Sequence, residues 1–207
     1  MEFRLTYAGE LLGASRNNPR AHHKHEIRKA FHPQLKRLWR ITPQLSGLRD
    51  PPTEMLRFSK YPESRSRIDA LAERFSRNGY SFVPLVTEDL EVSFCGIEIL
   101  FMRSDPPGAL IQSGDIDNRL KTIFDALRIP HSKDELGGYD TPSEDEQPFF
   151  CLLQDDKLIT KVSVETDSLL ELPSEPLNVN DVRLVVKVTI QPRLTRLDLR
   201  EVTYNFR

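Results

Sequence analysis

Two groups of acidic residues in this 207-residue chain have the type and spacing to do chemistry. The first is Asp115-Ile116-Asp117-Asn118, followed by Lys121 and Asp125; the second is the adjacent pair Asp155-Asp156, set between apolar runs. A hard divalent cation such as Mg²⁺ takes oxygen ligands from a few carboxylates and keeps several waters, which leaves positions for phosphate oxygens of a substrate. Three or four aspartates converging on one point supply such a ligand set. A cation held there would activate a water and neutralise charge on a phosphodiester under attack. Lys121, one helical turn beyond Asp117, would add a positive charge at the scissile phosphate. Plainer readings stand beside this one: Asp115 as a helix N-cap, Asp117 favoured by the helix dipole, and Asp155-Asp156 as a hairpin turn.

The elements that must position these residues follow from periodicity. Ile116, Leu120, Ile123, Phe124 and Leu127 share one face of a helix that begins near Asp115, which leaves Asp117, Lys121 and Asp125 as an i, i+4, i+8 line on the other face. Phe3, Leu5 and Tyr7 alternate as in a half-buried strand, and further strands are expected over 80–86, 90–102 with a turn or bulge at Gly96, 148–154, 157–165 and 181–191, with an extended tail through 197–204. A helix is expected over about 24–41 from Ile27, Phe31, Leu35 and Leu38, with Pro33 kinking it or starting a second helix. Another is expected over about 63–78, carrying Arg65, Arg67, Arg74 and Arg77 outward and stopped by Gly79. The Pro-rich stretch 42–62 reads as irregular connection. Interleaved helices and strands make the class α+β (mixed α/β), with a mixed or largely antiparallel sheet packed with helices in a single domain over 1–207.

Charge is unevenly distributed. The net charge of -2 conceals a segment with eight cations, Arg16, Arg20, Lys24, Arg28, Lys29, Lys36, Arg37 and Arg40, against the single acid Glu26. Such a segment is either a solvated helix face or a phosphate-contacting surface for nucleic acid. His22, His23, His25 and His32 lie within it; without an H-E-x-x-H spacing or nearby cysteines they read as phosphate contacts or surface positions. Residues 130–148 are rich in Pro, Gly and acids and read as a mobile acidic insertion. Cys95 and Cys151 sit far apart in apolar runs and read as buried, reduced thiols. The chain has no apolar run long enough for a membrane helix and no leader pattern at Met1, so a cytoplasmic protein is expected. Neither a phosphate loop nor a nucleophile elbow nor a dinucleotide fingerprint is present, which excludes the commoner motors, acyl hydrolases and oxidoreductases.

The order Asp115-Ile116-Asp117-Asn118, Lys121, Phe124-Asp125-Ala126-Leu127 and then Asp155-Asp156 resembles the signature of the RusA family of Holliday junction resolvases. The resemblance covers about 90 residues, and only the D-x-D-N-x-x-K-x-x-x-D-A-L segment is specific. It implies a RusA-like fold and a homodimer that cuts branched DNA, a four-way junction above all, with Mg²⁺ (or Mn²⁺). It also implies Asp115, Asp117 and Asp156 as metal ligands, with Lys121 important for catalysis. Asp155 is then an additional ligand, and Asn118 and Asp125 groups that orient the others. The basic segment, within a helical elaboration over about 16–78, and the insertion at 130–148 depart from the compact members of the family. Two alternatives remain. One is a catalytically silent nucleic-acid-binding or interaction protein on the same scaffold, against which the joint presence of three aspartates and Lys121 counts. The other is a restriction-type nuclease using the D-x-K triplet Asp155-Asp156-Lys157, for which the sequence offers no evident partner acid on a preceding strand.

Overall fold

In the computed structural model, the residues described are 1–13, 20–46, 66–88, 93–104, 116–170, 178 and 180–192. Arg16, Arg65, Asp115, most of the 42–62 connection and the 197–204 tail lie outside them.

Strand β1 (Glu2–Glu10) runs antiparallel to β7 (Asp181–Pro192), β7 antiparallel to β4 (Ser93–Arg103), and β4 parallel to β6 (Ile159–Ser168). The β4–β6 register shifts between Cys95 and Gly96, so of the turn or bulge expected at Gly96 the strand has the bulge. Alternation gives this sheet one buried face, with Leu5, Ile97, Ile99, Phe101, Val182, Leu184, Val186 and Val188 turned inward, and a polar outer face where Glu98 pairs with Lys161 and Lys187. A second sheet has the order β2 (Ser76–Arg77), β3 (Tyr80–Val86), β5 (Phe149–Leu153), with β3 and β5 parallel. Both of its faces are covered, hence the near-continuous apolar runs of β3 and β5. Val83, Leu85, Phe150 and Leu152 join the main core, while Tyr80, Phe82, Phe149 and Cys151 form an aromatic cluster with Ile129 and Leu136. Mixed sheets packed with helices agree with the expected α+β class.

Helix α1 (Ala21–Ile41) is continuous through Pro33, so of the expected kink or second helix start the second start is absent. Pro33 is exposed, and a proline inside a helix costs about 3 kcal/mol. Ile27, Phe31 and Leu35 are each at most 1% exposed, and burial at about 1.5–3 kcal/mol apiece outweighs that cost. The helix lies against β5, β1 and the helix Ile116–Leu127, so it is part of the core. After the single turn α2 (Pro43–Ser46), helix α3 (Arg67–Arg74) starts on Ser66, whose hydroxyl accepts from the Asp69 amide. The helix expected to Asn78 ends sooner, because Asn78 and Gly79 (φ 54° and 83°) turn the chain into the β2–β3 hairpin. Two successive positive φ values are what an Asn-Gly hairpin turn requires.

The acidic segment 130–148 was expected as a mobile insertion and is instead packed on α1. Leu136 is fully buried, Tyr139 stacks on His22 at 5.2 Å, and the turn Glu144–Glu146 closes with a Ser143/Glu146 capping box. Gly137 (φ 63°) abuts the backbone of Ala21 and His22, where any side chain would collide. Among the described residues, no helix is long and apolar enough to cross a membrane.

Candidate functional site

Helix α4 (Ile116–Leu127) carries Asp117, Asn118 and Lys121 in its first turns, all exposed and none with an ion pair or side-chain hydrogen bond to a described residue. Its buried side holds Ile123, Ala126 and Leu127, but also Arg119, Thr122 and Asp125. Asp125 therefore does not continue an exposed line from Asp117. Its carboxylate takes Lys24 Nζ at 2.6 Å and Arg128 at 3.0 Å, and its carbonyl accepts from Arg28 at 2.7 Å. The sequence pattern missed this because the apolar stripe of α4 faces the sheets while α1 covers the neighbouring side. Asp125 is a clasp between α1 and α4.

The second acidic group follows β5. Asp155 accepts from the Lys157 amide at 3.0 Å and caps a 3-10 turn, Asp156–Leu158, that leads directly into β6. The expected hairpin is absent, since β5 and β6 belong to different sheets, and the strand expected from Lys157 begins at Ile159. Burial raises the Asp155 carboxyl, yet the Lys157 amide and ammonium, the Asp156 side chain and His131 outweigh it and hold it below the ordinary carboxylate range. His131 Nε2 lies 3.5 Å from Asp155. Asp156 is exposed. The turn Asp156–Leu158 packs against α4, so the elements bearing Asp117, Lys121 and Asp156 adjoin.

Sequence reasoning missed a partner of this turn. Gln154 donates its amide to Val86 O at 2.9 Å and its side chain accepts from the Glu88 amide at 3.0 Å, which ties the ends of the parallel strands β3 and β5 together. Glu88, just past β3, forms an ion pair with Lys157, whose ammonium is thereby held in its charged form. The acid on a preceding strand that the D-x-K triplet lacked in the sequence is thus present in space. Only the parallel pairing of β3 with β5 reveals it.

A hard cation fits the donors here by chemistry, since Asp117, Asp155 and Asp156 offer oxygen alone and Asp117 and Asp156 face solvent. Among the described residues no three His, Cys, Asp or Glu side chains converge as a ready-made metal site, and Asp115 lies outside those residues.

The basic segment divides in two. Lys24 is held by Asp125, and Lys29 lies 3.5 Å from Glu146 and over the Tyr139 ring. Arg28, 1% exposed, donates to Arg128 O and Asp125 O and lies 2.9 Å from His25 Nδ1. These are interior bonds, so Arg28 is removed from the phosphate-binding set expected of it. Arg20, in a left-handed conformation before α1, has its own contact. Arg37 and Arg40 are exposed and line an open groove of about 590 Å³ with His32, Asp145 and Lys36, whose ammonium donates to the Asp145 carbonyl at 2.8 Å. The histidines are structural as well. Burial, with the neighbouring Arg28, Lys29 and His22 charges, lowers His25 to about 3, and His32 Nδ1 accepts the Phe150 amide at 2.8 Å while burial lowers its pKa. His23 Nε2 accepts the Leu12 amide at 3.1 Å. Burial pushes both free thiols, Cys95 and Cys151, up to about 12, as suits inert core residues.

Comparison with protein-family models, curated proteins and solved structures finds no match.

Proposed function

We propose that the chain is a Mg²⁺-dependent, structure-selective DNA endonuclease of the Holliday-junction-resolvase type, acting on branched DNA as a homodimer. The observation that carries this reading is the packing of the Asp156–Leu158 turn against the helix that exposes Asp117 and Lys121. Asp115, Asp117 and Asp156 would hold the metal, with Asp155 beside them. The metal, when bound, supplies Lewis-acid activation of water and charge neutralisation at the phosphorus. Lys121 adds a mobile cation one turn from Asp117, where it offsets charge on the phosphate oxygens. Asn118, exposed on the same turn, would orient the neighbouring carboxylates around a bound metal. Arg37 and Arg40, the exposed cations of the basic segment, bind the backbone of the substrate through the groove they line, beside Lys36, whose ammonium is bonded to the Asp145 carbonyl.

A second assignment within the nuclease class is favoured by one contact, the Glu88–Lys157 ion pair beside Asp155. There Glu88 and Asp155 are the acids and Lys157 the catalytic lysine of a restriction-type site. The decisive experiment assays purified protein on four-way junctions, flaps, and linear duplexes with Mg²⁺ or with EDTA. Junction cleavage that needs Mg²⁺ is expected; absence of cleavage on every substrate leaves the silent binding protein. Loss of cutting in Asp117→Asn and Lys121→Ala with Glu88→Gln active selects the first assignment, and the reverse pattern the second.

A further inference from the structure

Beside Asp155 a cavity of about 260 Å³ opens between the β2–β3 hairpin and the end of β5, lined by Arg74, Arg77, His131, Gln154 and Asp155 among others. Arg77 is the unusual group. It occupies the second position of β2, paired with Tyr80 across the Asn78–Gly79 turn, so a rigid hairpin fixes its backbone. Its side chain is half-buried and makes no hydrogen bond or ion pair with a described residue, and its Nε is buried without a partner. Burial lowers its pKa, with the neighbouring Arg128 charge acting the same way, and outweighs the opposing pull of Cys151 and Glu135.

Carboxylates nearby do not meet the need. Glu135 is engaged by both terminal nitrogens of Arg128 at 2.9 and 3.1 Å, and Asp125 by Lys24 and Arg128. Asp155, across the cavity, caps the Lys157 amide. A guanidinium presents five donors in a fixed fork matched to the oxygens of a phosphate, and a buried donor without an acceptor is costly. A cavity with one unpaired guanidinium, a second arginine, an imidazole and a side-chain amide suits a tetrahedral oxyanion.

We infer that this cavity is a phosphate subsite anchored by Arg77, built to seat one phosphodiester of a nucleic-acid strand next to the aspartates of the turn. That the ligand belongs to a nucleic-acid strand rests on the nuclease reading; that it is a phosphate does not. The subsite would hold a phosphate flanking the scissile one, so that Arg77 sets the position of the strand without touching the reacting atoms.

The test follows the arginine Nε–H NMR signals of ¹⁵N-labelled full-length protein, free of divalent cations, during titration with inorganic phosphate, with sodium acetate and with the oligonucleotide (dT)8, all at constant ionic strength. Through-bond correlation of the side chain to the assigned backbone of the wild type, labelled with ¹³C as well, identifies the signal. Phosphate is expected to move the Arg77 signal saturably and acetate to leave it unmoved. The oligonucleotide should move it at lower concentration than phosphate does, and its affinity should fall about tenfold in Arg77→Gln, the effect of one lost charge-assisted contact. An Arg77 signal indifferent to phosphate, or moved equally by acetate, overturns the subsite, and this wild-type readout decides even if the variants do not fold. Unchanged oligonucleotide affinity in a folded Arg77→Gln, or response to phosphate but not to (dT)8, overturns the assignment to a strand. Failure of the nuclease reading shows separately, as no Mg²⁺-dependent cleavage by a protein whose Arg77 still answers to phosphate.

Discussion

The two ends of α4 use the same residue type in opposite ways. Asp117, in the first turn, is exposed and has no cationic partner among the described residues, whereas Asp125, two turns on, is 8% exposed and held between Lys24 and Arg128. The basic helix α1 shows the same division, with Lys24, Arg28 and Lys29 bonded inward and Arg37 and Arg40 open to solvent. Charged residues near one another in a sequence thus divide into a set that fastens helices together and a set free to meet a ligand. Exposure and pairing, not residue type, decide which set a side chain joins.

If that division is right, the largest single effect belongs to the fastening set. Asp125→Ala strands Lys24 and weakens the hold on Arg128, and should lower unfolding free energy by about 3–5 kcal/mol in urea melts. A loss below about 1 kcal/mol would erase the contrast between the two aspartates. At the exposed end, Asp117→Asn should reduce Mg²⁺-dependent junction cleavage about 100-fold or more while changing stability by no more than about 0.5 kcal/mol. Equal cutting by this variant removes Asp117 from the site.

A third comparison uses pH. His25 stays neutral in the folded interior, at about 3, against an ordinary histidine value near 6.5 when unfolded. The unfolded chain therefore binds the extra proton between those values, and stability present above pH 6.5 declines as pH falls, by up to about 1.4 kcal/mol per unit from this group. Denaturant melts from pH 7 to 5 should show that slope, and His25→Asn should flatten it. The smallest effect is expected in the open half of α1. Replacing Arg37 and Arg40 together with Gln should reduce the salt dependence of DNA binding by about two counterions, with melting unchanged. An unaltered slope would make the groove a solvated face.

Local periodicity revealed much of the fold. Strands β1, β3 and β7, the bulge at Gly96 and helix α4 follow from alternation and from apolar spacing, all set by neighbours in the chain. What it did not reveal depends on partners about 100 residues away. Arg28 finds the carbonyls of Asp125 and Arg128, Lys24 finds Asp125, and the acidic segment finds α1, so a cationic stretch that looked solvent-facing is partly interior. Of the candidate site, the aspartates and Lys121 stood out from spacing alone. Glu88, Gln154 and His131 did not, and Arg77 was legible only as an outward cation of a helix, because only the parallel pairing of β3 and β5 and the hairpin beside them gather these residues at one edge. The Asn78-Gly79 pair was a legible hairpin signal that the reading of Gly79 as a helix stop obscured.

The chain passes from the small sheet to the large one twice, once after β3 and once after β5, and in each sheet the strands involved are parallel neighbours. Glu88 and Lys157 join the two crossings side by side. The crossings therefore act as a double seam between the sheets, and one ion pair fixes the turn of Asp155 and Asp156 to the end of β3. A change on either crossing would therefore be felt on the other, although the two lie about seventy positions apart in the chain.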